Sequence, residues 1–379
     1  MRIAYISPFY QPAICGVGRV VCELAERAVK AGHEVHVFCA DTDKYKRLGL
    51  KDEVINGVNV HRCHSLFKVA NFAYVWPSVL WKLYSYDFDV IHTHAFGHAH
   101  SFFGALVAKL RGIPHVHTTH CCWTDSFRSL PGRIMLKLAY PTFGKLTFKW
   151  ASSIIAITPW ETGYIKRYGG KDRQIKIIPN GMDESFFKEI RPNNFKKEIG
   201  INGRMVLFFG RLNMTKGPDK FVLAARELLK LYKDVEFVMV GPDEGMKAKI
   251  VRMISDEKRI HLLDPIRDRK KVVEMYQAAD VFVLPSYREG LPLTLFEAMA
   301  SGLPMVVSPV NGVPYEVEDG KNGIFVKYGD IEGLVANVSL LLDDRKLASA
   351  MSKANKARAA SYGWNAIFDR TVSLYQAVV

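Results

Sequence analysis

What this sequence lacks narrows its function first. None of its apolar runs reaches the roughly 20 residues a membrane-spanning helix needs, so passage through a bilayer is not expected. Its six cysteines, among them Cys15, Cys22, Cys39 and the adjacent Cys121-Cys122, follow neither a disulfide framework nor a zinc spacing, and are expected as reduced thiols. The opening Met1-Arg2-Ile3-Ala4-Tyr5-Ile6-Ser7 carries no signal-peptide pattern and reads as a strand at once. The expected location is cytoplasmic, including a peripheral place on the inner face of the membrane. Gly16 and Gly18 follow that strand, but Val21 breaks the Gly-x-Gly-x-x-Gly fingerprint, which disfavours a nicotinamide cofactor. Lys216 is followed by Gly217 where a Walker loop has Ser or Thr, which disfavours a nucleoside-triphosphate hydrolase.

What is present points to a large, basic, two-domain α/β protein. At 379 residues and 49% hydrophobic content the chain exceeds one ordinary domain. Its net charge is +14, which calls for a polyanionic neighbour: nucleic acid, an anionic membrane or a phosphorylated substrate. Through Phe187 there are 23 Lys and Arg against 14 Asp and Glu, and 29 against 24 beyond it, so the excess lies mainly in the first half.

Strand and helix patterns alternate in both halves, the signature of two parallel-sheet domains. Strands are expected at 2–7, 35–39, 90–93, 115–118 and 153–157, then at 205–209, 236–240, 281–284 and 304–307. A helix over 18–31 closes at Gly32, and another follows Lys216-Gly217-Pro218. Pro179-Asn180-Gly181-Met182-Asp183 is turn chemistry, and 186–202, with Pro192 and Asn193-Asn194, reads as the hinge. Ligands of open parallel sheets bind beyond the carboxyl ends of the strands. Two such domains facing each other are therefore expected to enclose a central cleft.

The most informative segment is Glu289-Gly290-Leu291-Pro292-Leu293-Thr294-Leu295-Phe296-Glu297. It reads as a loop after a buried strand and then a helix start marked by Pro292. Gly290 admits a phosphate closely, and Leu291 and Leu293 offer amides at the positive end of the helix dipole. Glu289 and Glu297, acceptor-only groups on either side, suit hydroxyls such as those of a hexose and a ribose. The plain alternative is a solvated loop glutamate and another that favours the dipole. Gly210-Arg211-Leu212-Asn213-Met214-Thr215-Lys216-Gly217 places two cations after a strand, a pairing suited to pyrophosphate. Gly16 and Gly18, with Arg19, open a helix after the first strand, where backbone amides can meet a ligand.

Eleven of the twelve histidines lie in the first half. His92 and His94, and His115 and His117, share strand faces, yet no carboxylate or thiol at fitting spacing completes a metal shell, and no metal is expected. His120 ends a Thr118-Thr119-His120 run and should face the cleft as a donor to a sugar hydroxyl. Asp87-Phe88-Asp89 has the shape of a metal-binding acidic triplet but precedes a strand, and reads as a helix-to-strand turn. Two aromatic stretches address the acceptor: 66–86, with Phe67, Phe72, Tyr74, Trp76, Trp81 and Tyr84, and 123–150, where Phe127, Ile134, Leu138, Phe143, Leu146 and Phe148 mix with Arg128, Arg133, Lys137, Lys145 and Lys149. Basic groups among aromatics suit an anionic bilayer surface; the alternative is ordinary helices packed on a sheet.

As a set these segments resemble the retaining glycosyltransferases of family 4, glycogen-synthase and mannosyltransferase-like enzymes of GT-B fold, over nearly the whole chain. Gly210-Arg211-Leu212 with Lys216-Gly217 resembles the family's pyrophosphate loop, and Glu289 to Glu297, continued by Ala298-Met299-Ala300-Ser301-Gly302-Leu303-Pro304, its paired-glutamate signature. Pro179-Asn180-Gly181 with Asp183, and Asp89-Val90-Ile91-His92-Thr93-His94, are similar to further family segments. The resemblance implies two Rossmann-like domains, 1–187 for the acceptor and 188–360 for the nucleotide-sugar donor, with a helix at 361–379 crossing back to the first. It implies that Arg211 and Lys216 hold the donor diphosphate, Glu297 the ribose and Glu289 the transferred sugar, with Gly210, Gly290, Leu291, Pro292 and Leu293 lining the site. His120 would contact that sugar near the reacting centre, and Gly16 and Arg19 would match the N-terminal glycine loop. Cys15 departs from the family's usual first glycine, and Asp264 stands where glycine often precedes the base-binding residues, leaving the nucleobase open.

The expected activity is metal-independent, retaining transfer of a hexose from a GDP-mannose or UDP-glucose type of donor to an alcohol: a lipid, a glycan or a small molecule. No resident cofactor is expected, the nucleotide sugar being a co-substrate. A sugar-nucleotide epimerase or hydrolase is the alternative on the same fold. A nucleic-acid-binding protein is the remote one, for which no recognition motif speaks, and nucleic acid is not expected as a partner.

Overall fold

The computed structural model describes residues 1–13, 15–43, 46–48, 52–69, 73–121, 123, 130–191 and 193–379, the side chains at 68, 69 and 73 aside. Phe72, Cys122, Phe127, Arg128 and Pro192, named above, lie outside the described residues. The chain divides into two compact units, Met1–Gly181 with Trp364–Val379, and Met182–Gly363.

In the first unit the strands are β1 (Arg2–Ile6), β2 (Glu34–Ala40), β3 (Asp52–Ile55), β4 (Val58–Cys63), a separate antiparallel pair β5 (Phe67–Val69) and β6 (Ala73–Val75), then β7 (Val90–His94), β8 (His115–Thr118), β9 (Ser153–Ala156) and β10 (Ile175–Ile177). Apart from that pair they form one sheet in the order β10-β9-β8-β7-β1-β2-β4-β3, parallel except where β3 meets β4. The order reverses at β1, which lies between β2 and β7. β7 is buried along its whole length, as a central parallel strand covered on both faces must be.

The helix expected at 18–31 begins two residues earlier, as Gly16–Lys30. The reason is Cys15, whose Sγ accepts from Gly18 N at 3.2 Å and caps the first turn where the glycines alone suggested a loop. Val20, Val21, Leu24, Ala25 and Ala28 form its buried face. The helix Trp364–Gln376 belongs to this unit and is tied to β7 by His92 Nδ1 and Tyr375 Oη at 2.6 Å.

The second unit holds β11 (Arg204–Phe209), β12 (Val235–Val240), β13 (Ile260–Leu263), β14 (Val281–Leu284), β15 (Met305–Val307) and β16 (Ile324–Phe325), all parallel, in the order β13-β12-β11-β14-β15-β16. Phe208, Phe221, Phe237, Met239 and Leu341 are among the residues filling the core on one face of this sheet. The strand order reverses between β11 and β14, and loops leaving the carboxyl ends of two such neighbours diverge to opposite faces and open a crevice. Both signature segments of the C-terminal half leave from this point.

Candidate functional site

The loop after β11 is shaped by its own polar groups. Asn213 caps a short 3₁₀ turn, Met214–Lys216, by accepting from Lys216 N at 3.2 Å and from Thr215 Oγ1 at 2.8 Å. Gly217 follows with φ +69°, and a Cβ there would stand 2.3 Å from the carbonyl oxygen of Pro285, so a side chain would clash with the loop after β14. The helix Pro218–Leu231 then starts on proline, whose fixed φ suits a first turn.

That turn aims Lys216 at the second loop. Lys216 Nζ makes an ion pair with Glu289 Oε2, with 12% of the lysine side chain and 4% of the glutamate exposed. Ser286 Oγ donates to the other oxygen, Glu289 Oε1, at 2.6 Å, and Asn311 Nδ2 holds the Glu289 carbonyl. Tyr287 N donates to Thr215 O at 2.9 Å and Gly312 N to Gly290 O at 3.2 Å, so backbone bonds lock the two loops and the next one together. Burial pushes the Lys216 ammonium below its usual pKa, helped by the charges of Arg211 and Arg288 and opposed by Glu289.

Arg211, about half exposed, donates from Nη1 to Glu244 Oε2 at 2.7 Å, and Asn213 Nδ2 reaches the same oxygen at 2.9 Å. Gly210 N accepts its place from the sheet, donating to Val240 O at 3.0 Å. Beyond Gly290 the Leu291 side chain is buried, Pro292 caps the helix Leu293–Ala300 with extended backbone, and Leu295 N donates to Pro292 O at 3.1 Å. Glu297 is in the second turn, its Oε2 accepting from Tyr276 Oη at 3.0 Å. Burial and that carboxylate hold the Tyr276 phenol well above its usual pKa, so it stays a donor.

Thus Gly210, Arg211, Lys216, Glu289, Gly290, Leu291, Pro292, Leu293 and Glu297 gather at one reversal point of one sheet. Chemically the arrangement offers two cations, a helix start and two oriented carboxylates, which is a cradle for an anion with hydroxyls on either side. Sequence reasoning missed Ser286, Glu244, Tyr276 and Asn311. Ser286 and Glu244 had a signal, since each follows a strand end by a few residues, the place where such folds keep their polar site groups.

Gly16, Arg19 and His120 lie in the other unit. Gly16 is exposed with open space where a Cβ would stand, whereas Gly18 is the tight one, its Cβ position 3.1 Å from Phe9 O. Arg19 pairs with Glu23 one turn on, at 3.1 Å. His120 is partly exposed, two residues beyond β8, and has φ +60°; Cys121 has φ +53° and Ala95, after β7, φ +76°. Left-handed backbone at three such residues is held by surrounding bonds. The fastener is Glu161, fully buried, whose Oε1 accepts from Thr119 Oγ1 at 2.6 Å, Cys121 N at 2.8 Å and Trp123 Nε1 at 2.9 Å, while Oε2 accepts from Ile157 N at 2.7 Å. Glu161 was also missed, although no other acid stands between Asp125 and Asp172.

The histidines bond to their neighbours on the strands. His115 Nε2 and His117 Nδ1 both meet Thr93 Oγ1, at 2.8 and 2.7 Å, on one face of the sheet. His92 Nε2 meets Thr118 Oγ1 at 2.7 Å on the other, and His94 Nδ1 meets His120 Nε2 at 2.9 Å. Burial pushes His100 down to about 4 and His115 and His120 to about 3, so these rings are neutral at neutral pH. Among the described residues no group of three His, Cys, Asp or Glu is placed to hold a metal ion, and the described cysteines are free thiols. Asp87-Phe88-Asp89 joins the helix Val79–Tyr84 to β7, with Asp87 on Arg111 at 2.5 Å and Asp89 accepting from Arg2 N at 2.6 Å.

The aromatic stretches split. Trp76, Trp123 and Phe148 are buried, Trp76 stacked on His100 at 5.2 Å, which corrects their assignment to an acceptor surface: they fill the core. Phe67, Trp81, Tyr84, Ile134, Leu138 and Phe143 are exposed. Among the described residues no helix is long and apolar enough to cross a membrane.

Comparison with known proteins agrees with this geometry. The family described as Glycosyltransferase Family 4 matches residues 14–186, and Glycosyl transferases group 1 matches residues 189–358. The chain is 29% identical over 367 residues to the UDP-Gal:alpha-D-GlcNAc-diphosphoundecaprenol alpha-1,3-galactosyltransferase of Escherichia coli, covering 93% of this chain and 90% of that one. It is 29% identical over 310 residues to a D-inositol 3-phosphate glycosyltransferase of Corynebacterium diphtheriae, covering 78% and 72%. Among solved structures it is similar to HepE of Anabaena in complex with UDP-glucose, at TM-score 0.80 and 19% identity over all of both chains.

Proposed function

Since this chain belongs to the family 4 glycosyltransferases, with the GT-B fold, we propose that it is a retaining hexosyltransferase that draws on a UDP- or GDP-linked sugar and glycosylates an alcohol on a membrane-borne lipid or glycan. The observation that carries the donor half of this reading is the Lys216–Glu289 pair, buried at the strand reversal beside the start of Leu293–Ala300. An ammonium so placed is released for an arriving diphosphate while the carboxylate turns to sugar hydroxyls. Glu297, oriented by Tyr276, takes the ribose. As the glycosidic bond breaks through an oxocarbenium-like state, Arg211, Lys216 and the helix start neutralise the charge growing on the diphosphate. These protein cations supply the positive charge, so the proposed chemistry is metal-independent. No protein nucleophile takes part: the acceptor attacks the face the diphosphate leaves, and a donor phosphate oxygen takes its proton.

The acceptor half rests on the helix Leu130–Ala139. Leu130, Ile134 and Leu138, spaced by four, are 69%, 51% and 65% exposed, and Phe143 continues the stripe. Arg133, Lys137, Lys145 and Lys149 are exposed around it, and the sequence has no Asp or Glu from 126 to 160. An apolar stripe on a stretch whose charged residues are all cationic suits an anionic bilayer. The Escherichia coli relative is named for a diphosphoundecaprenol-linked acceptor, which supports the same assignment.

A nucleotide-release assay across UDP- and GDP-sugars, with and without lipid-linked acceptors and with product analysis, tests this. Release that needs an acceptor and yields an α-linked product from an α-linked donor is the expected result. Free sugar as the sole product overturns transfer, inverted product overturns retention, and loss of activity in chelator overturns metal independence.

A further inference from the structure

The hydrogen-bond pattern around His94 assigns a proton that the reaction needs in one place. β7 and β8 run side by side, with His94 opposite Thr118, and the chain then turns through His120 with φ +60°. That turn brings His120 Nε2 to 2.9 Å from His94 Nδ1. The His94 ring is fully buried, and its other nitrogen, Nε2, has no hydrogen-bond partner. Both rings are neutral, because burial lowers both pKa values. Each ring therefore carries one N–H and one bare nitrogen, and a single proton lies between them.

Two arrangements satisfy that count. If His120 Nε2–H donates, His94 carries its own proton on Nε2, leaving a buried N–H with no acceptor. If His94 Nδ1–H donates, its buried Nε2 is a bare lone pair and His120 carries its proton on Nδ1. Orphaned buried N–H groups are rarer than under-used acceptors, so the second arrangement is favoured. We propose that His94 is a positioning residue that donates Nδ1–H to His120 Nε2 and so holds His120 as the Nδ1–H tautomer, a hydrogen-bond donor to a hydroxyl oxygen of the transferred sugar. In this role His120 is not a general base, since its bare nitrogen is occupied by His94. Glu161 holds the chain on either side of His120 through the Thr119 hydroxyl and the Cys121 N–H, and His94 fixes the ring.

The contact with sugar rests on the proposed glycosyltransferase reading; the tautomer does not, and the experiment separates them. Protein labelled with ¹⁵N-histidine is measured by two-bond ¹H–¹⁵N correlation at neutral pH, His120 being identified by its absence in His120→Gln. The expected pattern is Nδ1–H. An Nε2–H pattern overturns the proposal. In His94→Leu, which keeps the apolar bulk, His120 should lose its preference for Nδ1–H, with kcat down roughly tenfold, the worth of about one hydrogen bond, at unchanged KM for the donor. His94→Asn returns an amide donor to the Nδ1 position and should recover both the tautomer and most of the rate. An unchanged tautomer in His94→Leu, or equal losses in the two variants, overturns the proposal. Should the wild type transfer no sugar, the functional reading fails while the ¹⁵N spectra still decide the tautomer.

Discussion

Replacing Lys216 with methionine keeps the length of the side chain, removes its charge and strands a carboxylate. Glu289 is 4% exposed, and without the ammonium its remaining side-chain donor among the described residues is Ser286 Oγ. Breaking a buried ion pair from one side costs about 3–5 kcal/mol, because the surviving charge is left uncompensated. For a unit of this size each kcal/mol moves Tm by roughly 2–4 °C, so Lys216→Met should lower it by roughly 6–20 °C. Adding Glu289→Gln removes the orphan charge, and the double variant should return to within about 2 kcal/mol of wild type. Turnover should not return, since losing a preorganised charge aimed at a developing anion costs about 10²–10³ in rate. Stability by circular dichroism and transfer by nucleotide release, on both variants, give the two readouts. A Tm for Lys216→Met within about 2 °C of wild type would refute the buried pair, and near-normal turnover in the double variant would refute its role in catalysis.

Other expectations follow from the same geometry. His100, at about 4, and His115, at about 3, both fully buried, sit below their unfolded value of 6.5. Their folded pKa values are depressed, so the unfolded chain takes up protons first as pH falls below 6.5. The stability they provide is full above that pH and is lost toward pH 3–4. Each ring should cost about 2 kcal/mol by pH 5, and Tm measured from pH 7.5 down should fall steeply below 6.5; a flat profile to pH 5 contradicts the burial. Leu138→Glu, on an exposed position, should leave Tm within about 1 °C and abolish sedimentation with anionic liposomes at low salt, and salt-insensitive wild-type binding would remove the membrane surface. Gly217→Ala must hold φ +69° and displace Pro285 O, so urea denaturation should show a loss of about 1–3 kcal/mol together with a weakened thermal shift by UDP.

The parts of the fold legible in the sequence were those that burial writes as uninterrupted apolar runs. β8 and β14 coincide with expectation, and β1, β2, β7, β9, β11, β12 and β15 differ from it by no more than a residue at either end. β4 was missed because Val58–Cys63 carries buried polar groups: Arg62 is bonded to Glu53 on β3 and to Gln11 O, so its guanidinium is satisfied where sequence suggests a loop. Its antiparallel neighbour Asp52–Ile55 is half polar and half exposed, and reads as a turn until the pairing is known. The helix expected at 18–31 was legible, but its true start at Gly16 was not, since a thiol is a weak and uncommon cap.

The candidate site was legible by segment and illegible by partner, for a physical reason. Arg211, Lys216, Glu289 and Glu297 could each be picked out from a strand, a loop and a helix start nearby in sequence. That Lys216 neutralises Glu289 depends on β11 and β14 being adjacent, with 73 positions of chain between the two residues. Sheet order places them together, and their mutual neutralisation is what lets two oppositely charged groups remain buried until a ligand arrives. A site that binds a diphosphate and a sugar needs a cation and an acceptor at the same depth. Pairing them avoids the desolvation cost that either would carry alone, and a ligand bearing both an anion and hydroxyls replaces one bond with two. A ligand bearing only one of these should therefore bind poorly: nucleoside diphosphate alone must strand Glu289, and free hexose must strand Lys216. Isothermal titration of nucleoside diphosphate with and without free hexose should show the two binding cooperatively, with affinity for one raised on the order of tenfold by the other. Independent binding would mean that the pair stays closed and that the sugar is held elsewhere.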